Sequence, residues 1–230
     1  MNHPRVFLLI ILSCIAVIVT ASAKEDIPKQ QVSFFAFDVP ADRVAIHLQT
    51  KKDTFIKLSL PGANVTAPMA VANPDGNLTI YDQPVTGADG QIAYPVLGKI
   101  KCSPQWKEVM VVLLGEKKKG KDSFVGFAFP MSKKNFPPGS IKLVNLSPCY
   151  VRSMLGSSKH MFKPGSVETI TLHEKSGTMI NVVFQYQDGE SWQRMMASQW
   201  PVNDLERTMV IVFKNPLTGS MTSRSIPLHN

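Results

Sequence analysis

Few residues in this chain are equipped for chemistry. Beyond Lys24 the histidines are His47, His160, His173 and His229, with Cys149 and Met161 close to His160. Cys, His and Met together are the ligand types of copper sites on β-sandwiches. Such sites gather their ligands on one loop, whereas ten residues separate Cys149 from His160. The metal constellation is missing, and no cofactor is expected. Hydrolase patterns are missing as well: there is no G-x-S-x-G, no H-E-x-x-H and no glycine-rich phosphate loop. Ser132-Lys133-Lys134 and Ser157-Ser158-Lys159 set Ser beside Lys, but both read as turns. The acidic pairs Glu25/Asp26 and Asp204/Glu206 fall near a terminus and in a loop. A non-enzymatic role is expected.

Two surface chemistries remain. Trp192 and Trp200 are an even number of residues apart, so an uninterrupted strand puts both on one face with Arg194 between them. That trio would make a stacking platform for a sugar or a peptide; the competing reading buries the rings in a core. The second chemistry is the cationic excess, 25 Lys+Arg against 17 Asp+Glu, which gives +8 and an isoelectric point near 9.4. Much of it lies in Lys51-Lys52, Lys117-Lys118-Lys119-Gly120-Lys121 and Lys133-Lys134, all in expected turns. Lysines at a hairpin tip oppose edge association. Lys117, Lys118, Lys119 and Lys121 would also attract an anionic envelope polymer or a phospholipid surface. Nucleic acid is not an expected partner, because basic and aromatic residues do not interleave on a sheet.

Those side chains need elements to hold them, and the elements read as strands. With 44% apolar and 18% charged residues the chain is too apolar and too weakly charged for disorder. Three cysteines exclude a disulfide-dense mini-protein. Runs such as Val32–Phe37, Thr54–Leu60, Asn77–Tyr81, Glu108–Leu114, Ser123–Phe129, Ile141–Leu146, Met179–Gln187 and Thr208–Lys214 are rich in β-branched and aromatic residues. Pro61-Gly62, Asp89-Gly90, Pro138-Gly139, Pro164-Gly165 and Asp188-Gly189 supply turns between them. The expected fold class is all-β. Only Val202–Arg207 and Ser191–Ala197 have any helical character.

The first 23 residues read as an address. Arg5 precedes the apolar run Val6–Val19, and Ala21-Ser22-Ala23 closes it as an A-x-A site, so a signal peptide cleaved after Ala23 is expected. The run of 14 residues is short of the ~20 that span a bilayer, so no stable membrane span follows cleavage. Ile11-Leu12-Ser13-Cys14 also loosely resembles a lipobox, which leaves lipid attachment at Cys14 as the alternative. Cleavage leaves 230 − 23 = 207 residues, a charge of +8 − 1 = +7, and two cysteines, Cys102 and Cys149. Either they bridge the two halves or they remain two buried thiols; bridging needs Cα atoms within about 7 Å.

A faint duplication organises the rest. Leu60-Pro61-Gly62 recurs as Lys163-Pro164-Gly165, Val109–Leu114 echoes Met209–Lys214 at an offset of 209 − 109 = 100, and Phe129-Pro130-Met131 echoes Ile226-Pro227-Leu228. Three landmarks in order suggest two copies of a sandwich-sized unit. The expected architecture is two tandem immunoglobulin-like β-sandwich domains after the signal peptide, at 24–131 and 140–230. A polar, proline-rich linker at 132–139 joins them.

From Ile141 the residues Ile141-Lys142-Leu143-Val144-Asn145-Leu146-Ser147-Pro148, then Gly156, Phe162, Pro164-Gly165 and Trp200, resemble uncharacterised bacterial exported β-sandwich proteins. The resemblance covers roughly 141–230, rests on structural turns, and implies fold and export but no activity. Periplasmic pilus chaperones are also exported, basic and built of two such domains, and they bind by strand addition. Phe124–Pro130 is aromatic like their interactive strand but lacks its Asn and paired prolines. The function expected is that of an exported, non-catalytic protein of the envelope or extracellular space. Its partner would be an envelope polymer or another exported protein, and the alternatives are a carbohydrate- or peptide-binding module or a pilus-chaperone-like protein.

Overall fold

The computed structural model describes residues 29–228 except 38, 40–44, 52–53, 61, 63, 74 and 119–120. Lys51, Lys117, Lys118, Lys121 and Asp122 are described by backbone alone. The expected signal peptide and the Cys14 lipid site lie outside these residues.

The fold is all-β. In the first half, the strands are β1 (Lys29–Phe37), β2 (Ala45–Lys51), β3 (Thr54–Ser59), β4 (Met69–Ala72) and β5 (Asn77–Tyr81). They continue with β6 (Val85–Thr86), β7 (Ile92–Ala93), β8 (Val96–Lys101), β9 (Glu108–Lys118) and β10 (Lys121–Pro130). The second half holds β11 (Ser140–Asn145), β12 (Val151–Leu155), β13 (Ser158–Phe162) and β14 (Val167–Thr171). It ends with β15 (Met179–Asp188), β16 (Ser191–Pro201), β17 (Arg207–Lys214) and β18 (Met221–Leu228). Ser191–Ala197 belongs to a strand and Val202–Arg207 to a turn leading into β17, so neither helical window forms.

Each half repeats one strand order. Sheets β10-β9-β1-β4 and β3-β2-β5-β8 in the first correspond to β18-β17-β11-β14 and β13-β12-β15-β16 in the second. In both halves the opening strand runs parallel to the penultimate one, β1 with β9 and β11 with β17. The register corrects the offset read from sequence. Pro130 pairs with Val109, and Pro227 pairs with Thr208, so the equivalent positions differ by 208 − 109 = 99. One residue of slip exchanges the two faces of a strand, so the corrected offset decides which side chains meet which core.

The sheets stack in four layers around three cores. Val32, Phe34, Val109 and Val111 point into a core shared with β2, β5 and β8. Leu143, Val210 and Val212 point into the core shared with β12 and β15. The opposite faces of the same strands, Phe35, Phe37, Met110 and Val112 against Val144, Met209, Ile211 and Phe213, form a third core between the halves. The cause is visible in the strands: β9 and β17 carry near-continuous apolar runs, VMVVLL and MVIVF, as strands covered on both faces do. The outer strands alternate instead, as in β12, where Val151, Ser153 and Leu155 are buried and Arg152 and Met154 are half-buried.

Ser132–Gly139, expected as a polar hinge, is anchored. Phe136 is fully buried in the middle core, with Lys142 Nζ 4.7 Å and the Arg207 guanidinium 5.5 Å from its ring centre. Asn145, the Asn of the V-N-L-S-P run, is also fully buried. Its Nδ2 donates to the carbonyls of Cys149, Phe162 and Lys163, while its Oδ1 accepts from Ser147 N and Oγ. That motif is a turn built on one amide, which stitches the β11–β12 loop to the end of β13.

Candidate functional site

The outward face of β13-β12-β15-β16 is built around an irregularity in β16. Gln185 pairs with Arg194 and Phe184 with Met196, which leaves Met195 as an extra residue, a β-bulge. An inserted residue reverses the alternation beyond it. Trp192 and Trp200 therefore lie on opposite faces despite their even spacing. Trp200 turns inward, 6.4 Å from Phe184 and packed on the second-half core. Trp192 and Arg194 stay outside, so the three-residue platform expected from sequence does not form.

A different group assembles on that face. The Arg152 guanidinium lies 4.4 Å from the Trp192 ring centre, and its Nε donates to Gln185 Oε1 at 2.8 Å. Stacking on one side and a hydrogen bond on the other hold the fork in place. Direct pairing sets Met161, Arg152, Gln185 and Arg194 in one row across the four strands. Lys159, Met154, Val183 and Ala197 form the next row. A shallow concavity of about 510 Å³ follows these rows, lined by Arg152, Met154, Lys159, Met161, Val183 and Gln185. The two rows hold three cations and no carboxylate, over a floor of thioethers and methyls. Arg152 and Met154 were accessible to sequence reasoning, since alternation in V-R-S-M-L sets them opposite Val151 and Leu155.

Ser153 and His160 are paired directly across β12 and β13, which brings a hydroxyl beside an imidazole. Ser153 Oγ and His160 Nε2 are both buried without a hydrogen-bond partner among the described residues, so the two are not bonded to each other as an activated hydroxyl and its base would be. Ser153 points inward between Val151 and Leu155. Among the described residues no group of three or more His, Cys, Asp or Glu side chains is arranged to hold a metal.

The cysteines do not bridge. Cys102 is buried in the first-half core and Cys149 is half-buried in the β11–β12 loop; both are free thiols. Burial pushes the Cys102 thiol up, against a weaker opposing contact to Gln30 Oε1 at 3.4 Å. The lysine-rich tip is the end of the β9–β10 hairpin, where Lys121 pairs with Lys118. Lys117 lies in β9 beside it, and Lys119 falls outside the described residues. Lys133 and Lys134 occupy an exposed turn, as expected. No helix among the described residues is long and apolar enough to cross a membrane. No known family model matches this sequence, and no curated protein matches it.

Proposed function

We propose that the chain is an exported, non-catalytic binding protein of the cell envelope or extracellular space, two tandem immunoglobulin-like sandwiches in architecture. Its contact surface is the outward face of β13-β12-β15-β16, and its partner is an anionic envelope polymer. The signal-like residues 1–23 support export. The observation that carries the binding reading is Arg152 held between Trp192 and Gln185, in line with Arg194 and beside Lys159. A guanidinium already fixed in place loses little side-chain entropy when it pairs with a carboxylate or phosphate, and the methionines adapt to the uncharged remainder of the ligand. Retention of residues 24–230 on a carboxylated polysaccharide such as polygalacturonate, against neutral dextran, tests it. Salt-sensitive retention on the charged matrix alone supports the reading; equal behaviour on both matrices rejects it.

A further inference from the structure

A second concavity, separate from that face, opens where the halves meet. It has a volume of about 770 Å³, within the range of small-molecule sites. One wall is the middle-core face of β1 and β9, with Phe35 and Met110; the other is the end of β18, with Ile226 and Leu228. Among the described residues two charged side chains line it, Glu108 at the start of β9 and Arg207 at the start of β17.

Arg207 is poorly compensated. Nη1 donates to the Met131 carbonyl at 2.8 Å, and Nε is buried with no acceptor among the described residues. Lys142, which shares the Phe136 ring with it, is a second cation, whose Nζ donates to the Pro130 carbonyl at 3.0 Å. Arginine does not shed its proton, so the charge persists with a neutral carbonyl as its protein acceptor. A cation at the edge of an apolar cleft is stabilised by an entering anion.

We propose that this cleft binds a single-headed apolar carboxylate, the head group on Arg207 and the tail between the Phe35–Met110 and Ile226–Leu228 walls. The walls select an apolar body. Glu108 stands at the Arg207 end, both being bonded to Met131, so the apolar walls beyond offer no cation to a second negative charge, which disfavours dicarboxylates.

Titration calorimetry on residues 24–230 with decanoate, decanol and decanedioate, each below its aggregation limit, tests this. Decanoate is expected to bind saturably at one site. Decanol and decanedioate should bind at least ~10-fold more weakly, as expected for a lost charge-assisted contact or for a second carboxylate buried against apolar walls. Arg207→Gln should cost a similar ~10-fold. Ser33→Leu, which projects a larger side chain into the cleft from β1, should block decanoate while leaving the melting temperature within a few degrees. Equal affinities for decanoate and decanol overturn the proposal, as does no saturable binding or decanoate binding untouched by Ser33→Leu. Should Arg207→Gln fail to fold, the three-ligand comparison on the unaltered chain and Ser33→Leu still decide it. Polygalacturonate retention is read on the other face, so the two proposals fail independently.

Discussion

Phe37 in β1 and Phe213 in β17 stack across the junction of the two halves, ring centres 5.5 Å apart and planes 24° from parallel. Around them the inner sheets share a core as well buried as either half's own, for Val112, Phe136, Val144, Met209 and Ile211 are all fully buried. Neither half keeps its inner sheet covered without the other. A single cooperative unfolding transition is therefore expected in calorimetry. Phe213→Ala should lower stability by about 3–5 kcal/mol and shift that one transition as a unit. Two separated transitions would show that the junction is not a true core.

Lys142 gives the fold a distinct pH signature. It is 3% exposed, and burial, with the nearby Arg207 charge adding, brings its amine down from 10.5 to about 8. Below about pH 8 folded and unfolded chains both carry the proton, and the full penalty of the buried cation is present. Between about pH 8 and 10.5 the folded state sheds the proton first, so this group's contribution to stability rises with pH. The gain is on the order of 2–3 kcal/mol. Urea midpoints at pH 7 and pH 9.5 should rise for the native chain and rise less for Lys142→Met. Identical slopes would place the lysine in water.

Gly126 in β10 marks a closer fit than neighbouring Gly98 in β8. A methyl group at Gly126 would land on the buried Ile100 side chain and 3.2 Å from Leu113, whereas at Gly98 it would meet Ile80 at an ordinary 3.6 Å. Gly126→Ala should destabilise by roughly 1–3 kcal/mol, and Gly98→Ala should stay within about 0.5 kcal/mol of neutral. Chemical denaturation of the two variants side by side tests the contrast.

The thiols should separate by accessibility. Without reductant, residues 24–230 are expected to show two titratable thiols in denaturant. In native buffer Cys149 should react first and Cys102 only on unfolding, because burial both shields its sulfur and disfavours the thiolate. Finding no free thiol in denaturant would restore the bridge.

What was legible in the sequence was periodic, and what was not was a matter of single residues. β-branched and aromatic runs marked most strands, and the duplicated landmarks marked the repeated strand order. Ser158–Phe162 escaped because S-K-H-M-F has little strand character of its own; it becomes β13 by pairing with β12. The bulge at Met195 carries no composition signal, yet it moves Trp200 from the surface to the core. Phe136 sat in a segment polar enough to look like a hinge, and only the three-dimensional junction shows what the ring covers. The unbroken V-M-V-V-L-L and M-V-I-V-F runs were legible as strands, but not that their second side is covered by the other half. Arg152 gained meaning only once β15 and β16 brought Gln185 and Trp192 to it.

The most direct measurement is an amide chemical-shift map of residues 24–230 titrated with a short oligogalacturonate. Binding at the Arg152–Trp192 face should perturb amides of β12, β13, β15 and β16, together with the Trp192 indole. Arg194→Glu should abolish those shifts while leaving the melting temperature within about 2 °C, since Arg194 is exposed. Perturbations confined to the Lys118–Lys121 hairpin end, or shifts that survive Arg194→Glu, would contradict the assignment of this face.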